Sequence, residues 1–233
     1  NFIIMYFLYK RKFKKIKEND EFIFYYSVIA ISTIIITAIL FFQTNRPLEQ
    51  AFRDGIFQVV SLITTTGFAS SDYMLWPTVG WTFMFILLFF GASTGSTTGG
   101  IKMARHFIFI KNIQRTLRSL AHPNSIKQIK FNNKVLSPED NNSILLFICL
   151  YFVAWLIGSL ILVFMGIDGA TAMSSIATAF GNIGSGIGTV GNASNFNHLP
   201  DAAKYIMSFY MLLGRLEIYT LLIIFTPTFW RKA

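Results

Sequence analysis

The chain has 233 residues, of which 53% are hydrophobic, 16% aromatic and only 13% charged, against roughly 25% charged in a soluble domain. That composition argues against a soluble globular protein and reads as an integral membrane protein. The formal net charge of +9 raises nucleic acid as a partner, and the placement of the basic residues argues against it. Six lie in Lys10 to Lys17, eight from Lys102 to Lys134 and two at Arg231 and Lys232. One threading puts all three segments on the same side of a membrane, the positive-inside pattern that marks them as cytoplasmic.

Residues 1–21 begin with the apolar run Phe2 to Tyr9, which is too short to span and is followed at once by the basic run. A signal peptide carries its charges before the apolar core. The run therefore reads as the tail of a preceding transmembrane helix, and the chain as a fragment. Phe22 to Phe42 carries no charge and at ~1.5 Å per residue spans a ~30 Å hydrocarbon core, from inside to outside. After the break at Thr44-Asn45-Arg46-Pro47, Leu48 to Ile63 is too short and too polar at its start to cross. It is expected to dip in from the outer face with its carbonyl end aimed at the turn Thr64-Thr65-Thr66-Gly67-Phe68.

That turn reads as one wall of an ion selectivity filter. A filter replaces a cation's water by backbone carbonyl oxygens, in irregular backbone that survives at membrane depth only where it is buried or lines a water-filled cavity. Threonine can add a hydroxyl ligand, and glycine reaches backbone angles that aim carbonyls inward. Taken alone, the same five residues also fit an ordinary loop.

Trp76 and Trp81 fall where an interfacial aromatic belt is expected, and Val79 to Phe90 descends only about half a membrane. It stops at Gly91-Ala92-Ser93-Thr94-Gly95-Ser96-Thr97-Thr98-Gly99-Gly100 before an amphipathic basic helix from Ile101 to about Leu120. So much glycine, serine and threonine breaks a helix. The alternatives are a cytoplasmic turn or a loop at mid-depth lining a cavity. A phosphate-binding glycine loop does not fit, because Ile101 and Lys102 stand where lysine and a hydroxyl residue are needed and no strand precedes them.

Residues 122–140 form a polar cytoplasmic link between two repeats, 22–121 and 141–233. Asn142 to Phe164 spans again, and Asp168 starts a second dip ending in Phe180-Gly181-Asn182-Ile183-Gly184-Ser185-Gly186. At an offset of 114, Asp54-Gly55 matches Asp168-Gly169, Ser61 matches Ser175 and Thr64 matches Thr178. Two spanning-dip-spanning units imply a pore built by internal pseudo-symmetry. The offset pairs Gly67 with Gly181. Matching a polar-x-glycine triplet pairs it with Gly184, which is preferred here and makes the second dip nearly one turn longer.

Ala202 to Phe229 is expected as one final descending helix with Arg215 near its middle. A lone arginine at that depth costs at least ~2.5–3.5 kcal/mol, so it must face protein, water or a partner. Glu217, two residues away, does not share its helix face, which leaves the pore or the Gly91–Gly100 loop, as a barrier to cations or as a structural tie. On the outer side, Arg46, Arg53 and Lys204 lie with Glu49, Asp54, Asp72, Asp168 and Asp201, a mildly acidic mouth that would concentrate cations. Cys149 can form no internal disulfide, and His106, His122 and His198 lack metal-ligand spacing.

At TTTGFASSDY, GASTGSTTGGIKMAR, FGNIGSGIGTVG and MLLGRLEIYTLL the chain resembles the Trk/Ktr/HKT superfamily of potassium transporters, in particular the C-terminal half of a TrkH-type subunit. The resemblance covers nearly the whole chain. It implies an all-α integral membrane fold of helix, re-entrant pore loop and helix repeats, potassium-channel-like, with two of four repeats present, the third and the fourth. It implies that Gly67 and Gly184 are filter glycines, with K⁺ held at Thr65, Thr66, Gly67, Asn182, Ile183 and Gly184 and with Phe68 and Ser185 beside them. The Gly91–Gly100 loop becomes an intramembrane gate towards which Arg215 projects.

The resemblance further implies a homodimer in the bacterial cytoplasmic (inner) membrane, surrounded by membrane lipid. A cytoplasmic TrkA/KtrA-like ring would dock on Lys102 to Lys134 and would carry the regulating nucleotide, NAD(H) or ATP/ADP, with no cofactor in this chain. The departure is completeness, since a pore needs four walls: the first half is encoded separately, or the product is truncated. The leading function is K⁺ uptake. A less selective K⁺/Na⁺ or Na⁺-coupled relative is the alternative within transport. A membrane enzyme acting on a lipid-linked substrate predicts clustered acids or histidines that the spanning segments lack, and a non-conducting scaffold predicts indifference to changes at Gly67.

Overall fold

The computed structural model describes residues 2–122, 128–224 and 226–230. Two short helices, α1 (Phe2–Tyr9) and α2 (Phe13–Lys17), lead into α3 (Asp20–Thr44). The side chain of Asn19 caps α3 by accepting from Phe22 N at 2.9 Å, and Asp20 and Glu21 occupy the first turn, where acids complement the helix dipole. Asn45, left-handed at φ 52°, ends the helix. Helix α4 (Leu48–Ile63) then runs back along α3, with the bounds its length and polarity predict.

Helix α5 (Thr78–Leu87) stops three residues short of the predicted Phe90, and α6 (Met103–Ala121) resumes after the glycine-rich stretch. The link between the repeats contains a small hairpin, β1 (Lys130–Phe131) with β2 (Lys134–Val135), turned by Asn132 and Asn133, both at positive φ. Residues 123–127 of that link and the basic pair 231–232 lie outside the described residues. Helix α7 (Pro138–Phe164) is capped by Ser137, whose side chain accepts from Asp140 N, and has proline in its first turn, where the missing N–H costs nothing. Helix α8 (Gly169–Gly181) follows, capped by Asp168.

Helices α3 and α7 are long and apolar enough to cross a membrane. The predicted single helix from Ala202 to Phe229 is instead broken. Helix α9 (Asp201–Arg215) and helix α10 (Ile218–Ile224) meet at 108°, with Glu217 left-handed at φ 60° between them, and α11 (Pro227–Trp230) follows. The break falls directly after Arg215, where Gly214 in the last turn of α9 is the one sequence signal for it.

The core is built around α8, whose residues from Ser174 to Gly181 are all buried. The ring of Phe180 stacks on Tyr151 of α7, with centroids 4.1 Å apart, and meets Tyr210 of α9 edge-on at 5.4 Å. Offset and edge-to-face pairs of this kind add about 0.5–1.5 kcal/mol each beyond area burial. Trp76, expected in an interfacial belt, is 3% exposed and belongs to this core. Cys149 is exposed on the apolar surface of α7.

Candidate functional site: two polar turns and the loop beneath them

Both dipping helices end in the same backbone device. At the end of α4, Ser61 O accepts from Thr66 N at 2.8 Å, Thr65 is left-handed at φ 54° and Gly67 stands at φ 76°. At the end of α8, Thr178 O accepts from Ile183 N at 3.0 Å, Asn182 is left-handed at φ 55° and Gly184 stands at φ 100°. Each feature recurs at an offset of 117, which pairs Gly67 with Gly184.

The predicted offset of 114 does not describe equivalent positions. Asp168 caps α8, accepting from Ala170 N at 3.1 Å and Thr171 N at 3.2 Å, whereas Asp54 lies in the second turn of α4 and pairs with Arg46 at 3.1 Å. The aspartates are therefore about one helical turn out of register. Counted from these aspartates to Gly67 and Gly184, the second dip is about one turn longer, although helix α8 as a whole is the shorter, at 13 residues against 16.

Side chains pin these turns while leaving their carbonyls free. Ser61 Oγ donates to Phe68 O at 2.5 Å, and Thr64 Oγ1 donates to Val60 O at 2.7 Å and lies 2.8 Å from Thr66 Oγ1. Thr178 Oγ1 accepts from Gly184 N at 3.0 Å, and Asn182 Nδ2 donates to Met211 O at 3.1 Å. Among the described residues, the carbonyls of Thr65, Thr66, Gly67, Asn182, Ile183 and Gly184 accept no hydrogen bond. Ile183 and Ser185 are buried, while Thr66, Phe68 and Gly184 are exposed.

The two turns are also tied to each other. Ser71 O accepts from Gln58 Nε2 at 2.7 Å and from Asn192 Nδ2 at 2.6 Å, and Tyr73 Oη donates to Gly186 O. Burial pushes the Tyr73 hydroxyl up to about 12, so it stays a donor throughout the physiological range. The expected acidic mouth is largely neutralised in pairs: Arg46 with Asp54 at 3.1 Å, Arg53 with Glu49 at 3.5 Å and Lys204 with Asp201 at 3.0 Å.

Beneath them, the Gly91–Gly100 stretch folds back on itself. Gly91 N donates to Ile101 O at 2.9 Å and Met103 N to Ala92 O at 3.2 Å, so both ends of the loop are clamped together. Its closing glycines touch the end of α8. A Cβ on Gly99 would lie 2.6 Å from Gly181 O and 2.8 Å from Asn182 Nδ2, so a larger residue there would push the loop and the turn apart. The Arg215 guanidinium donates to Thr97 O, and the neighbouring Gly214 packs against the Phe180 carbonyl.

Two further charged residues hold this loop and a third steadies the helix below it, and the sequence reading missed all three. Lys102 is 6% exposed, and its Nζ donates to Ser96 O at 3.0 Å, to Thr98 O and to Thr98 Oγ1 at 3.3 Å. Glu21, 4% exposed, accepts from Thr94 N at 2.5 Å and Thr94 Oγ1 at 2.7 Å. Arg105 pairs with Glu217 at 2.6 Å and lies 3.8 Å over the Phe147 ring, joining α6 to the α9–α10 break. The cost argument that singled out Arg215 applies equally to Lys102 and could have found it. Glu21 carries no comparable signal, since an acid in the first turn of a helix is common.

The arrangement offers carbonyl oxygens to a cation, with an uncharged loop below them held by Arg215, Lys102 and Glu21. Among the described residues, no group of three histidine, cysteine or acidic side chains could hold a metal ion. A model of the TrkH family, described as a cation transport protein, matches residues 22–232. The Trk system potassium uptake protein TrkI of Halomonas elongata is 36% identical over 208 residues, covering 88% of this chain and 42% of that protein. The Trk system potassium uptake protein TrkH of Salmonella typhimurium is 34% identical over 227 residues, covering 95% and 46%. The crystal structure of the potassium transporter TrkH from Vibrio parahaemolyticus superposes with a TM-score of 0.85 at 31% identity, covering 91% of this chain and 45% of that one. The chain thus spans about half the length of the relatives it matches. With a family model matching nearly its whole length and a fold shared with a solved member, the chain belongs to the TrkH family of cation transport proteins.

Proposed function

We propose that this chain supplies two of the four walls of a potassium uptake pore in the bacterial cytoplasmic membrane. The observation that carries the reading is the pair of turns whose carbonyls, at Thr65–Gly67 and Asn182–Gly184, accept no hydrogen bond among the described residues. Carbonyls left so at the C-terminal ends of two inward-dipping helices offer negative dipoles where a dehydrated cation needs them. Thr64, Phe68 and Ser185 flank them. The remaining walls would pack on α4 and the turn after it, where Arg53, Ile56, Phe57, Val60, Thr66 and Phe68 are among the residues lining an open cavity of ≈ 430 Å³.

Under this proposal the loop from Gly91 to Gly100 is the gate. The cation leaving the turns meets Gly99 and the Thr97 carbonyl that Arg215 holds, and passage requires the loop to swing away from Gly181. A fixed guanidinium on the route opposes a cation until it moves. A homodimer with a cytoplasmic nucleotide-binding ring completes the proposal, because the ring's contacts on the part of the Lys102–Lys134 stretch beyond the buried Lys102 would pull on α6 and thereby on the loop.

The experiment is ⁸⁶Rb⁺ uptake in K⁺-uptake-deficient cells by the longest open reading frame that encodes this chain, with Na⁺ as competitor. K⁺-competed, Na⁺-insensitive uptake supports the reading. Uptake competed equally by both ions would instead support the less selective transporter.

A further inference from the structure

We propose that the cytoplasmic end of α6 and strand β1 form a binding site for the phosphodiester headgroup of an anionic phospholipid. A cavity of ≈ 650 Å³ lies between them, lined by Lys111, Gln114, Arg115, Arg118, Gln128 and Lys130 among others. Four of those six are cations, and no carboxylate lines the cavity among the described residues. Lys111 is partly committed, donating to Lys130 O at 2.9 Å and lying 3.8 Å from Asp20 Oδ2. Arg115, Arg118 and Lys130 make no ion pair among the described residues.

Lys111, Arg115 and Arg118 recur at i, i+4 and i+7, which stacks three like charges on one helix face and disfavours the helix unless an anion intervenes. Guanidinium groups match a phosphate with paired donors, and the two glutamine amides add neutral ones.

The depth of the cavity selects the source of that phosphate. Asp20, the first residue of membrane-crossing α3, exchanges two 2.8 Å hydrogen bonds with Asn132 in the β1–β2 turn. The cavity is therefore level with the cytoplasmic end of the span, where headgroups lie. On the other side of α6, Ile110, Ile113, Leu117 and Leu120 form an exposed apolar stripe that rises from 40% to 75% exposure. A basic face opposite an apolar one lays a helix in the membrane interface, and anionic lipids there attract such a face. Since Met103 N at the start of α6 bonds Ala92 O, a headgroup that holds α6 also steadies the loop joined to it.

The test uses the protein that carries this chain, purified in zwitterionic detergent, with native mass spectrometry counting retained phosphatidylglycerol against phosphatidylethanolamine. The wild type is expected to prefer phosphatidylglycerol by roughly tenfold, and Arg115→Gln with Arg118→Gln to bring that ratio near parity. Arg11→Gln with Lys12→Gln removes the same charge from another cytoplasmic segment and is expected to leave the preference intact. Matching size-exclusion profiles establish that both pairs fold. An unchanged preference in the first pair, or an equal loss in the second, overturns the site. In a further arm, inorganic pyrophosphate is added to lipid-free micelles. A thermal shift that depends on Arg115 and Arg118, without any phosphatidylglycerol preference, overturns the lipid source in favour of a soluble phosphate. Because binding and not transport is read, failure here leaves the proposed pore untouched.

Discussion

The carbonyl oxygen of Ile183 occupies the space that a side chain on Gly67 would need. The two polar turns thus meet backbone to backbone, and Gly67 also stands at φ 76°, a conformation other residues adopt only at a cost of roughly 1–2 kcal/mol. Gly184 stands at φ 100° but has no atom within 4 Å of where its Cβ would be.

The two glycines should therefore respond differently to alanine. Gly67→Ala combines strain with a backbone clash and is expected to lower the melting temperature and the yield of folded protein. Gly184→Ala carries strain alone, so it should fold near wild-type yield while altering ion preference. Thermal unfolding of both variants checks this, and equal destabilisation would contradict the contact between Gly67 and Ile183.

Arg215→Ala removes the donor that holds Thr97 O and the fixed charge beside it. The gate reading predicts faster Rb⁺ flux in liposomes, with Arg215→Lys intermediate because an ammonium keeps the charge but not the planar fork. Flux at or below the wild-type level in Arg215→Ala would remove the residue from the gate.

Lys102 should matter to the same loop for a different reason. Its ammonium ties Ser96 to Thr98 from within, and hydrogen bonds to a charged group are worth about 1.5–3 kcal/mol each. Lys102→Met is expected to speed amide exchange around Ser96 roughly tenfold or more, while exchange in α8 is unaffected. Unchanged exchange would show that the loop holds its shape without the lysine.

The pair Arg105–Glu217 bridges α6 and the break after α9 at 2.6 Å. Its carboxylate side is 42% exposed, so its net contribution is on the order of 1 kcal/mol or less. Glu217→Gln should lower the melting temperature slightly, and it should do no further harm once Arg105 is glutamine. Additive losses in the double variant would mean that the two residues act separately.

Much of this fold was legible in the chain because the bilayer constrains it so tightly. The bounds of α4 follow from length and polarity alone, and Asn142 to Phe164 needed only apolar length. The break between α9 and α10 was only faintly marked, by Gly214, since Leu216 and Glu217 are ordinary helix formers and the left-handed conformation at Glu217 arises where Arg105 takes its carboxylate. The register between the repeats was misread for a related reason. Asp54 and Asp168 look equivalent in sequence, but one is a buried ion-pair partner and the other a helix cap, and only the hydrogen bonds at the ends of α4 and α8 reveal the offset of 117. Around the loop, Arg215 stands out as a charge in mid-helix, whereas Lys102 opens a basic cytoplasmic run and so reads as one more solvated charge.

The central claim is that a cation passes the carbonyls of the two turns, and selectivity in a variant that still folds tests it most directly. The measurement is the ratio of K⁺ to Na⁺ competition against ⁸⁶Rb⁺ uptake, comparing wild type with Gly184→Ser in the longest open reading frame that encodes this chain. The account predicts that Gly184→Ser still reaches the membrane and still carries Rb⁺, with its preference for K⁺ over Na⁺ reduced roughly tenfold, a change of about 1.4 kcal/mol between the two ions. An abundant, folded Gly184→Ser protein with wild-type discrimination would contradict it and move the filter away from these turns.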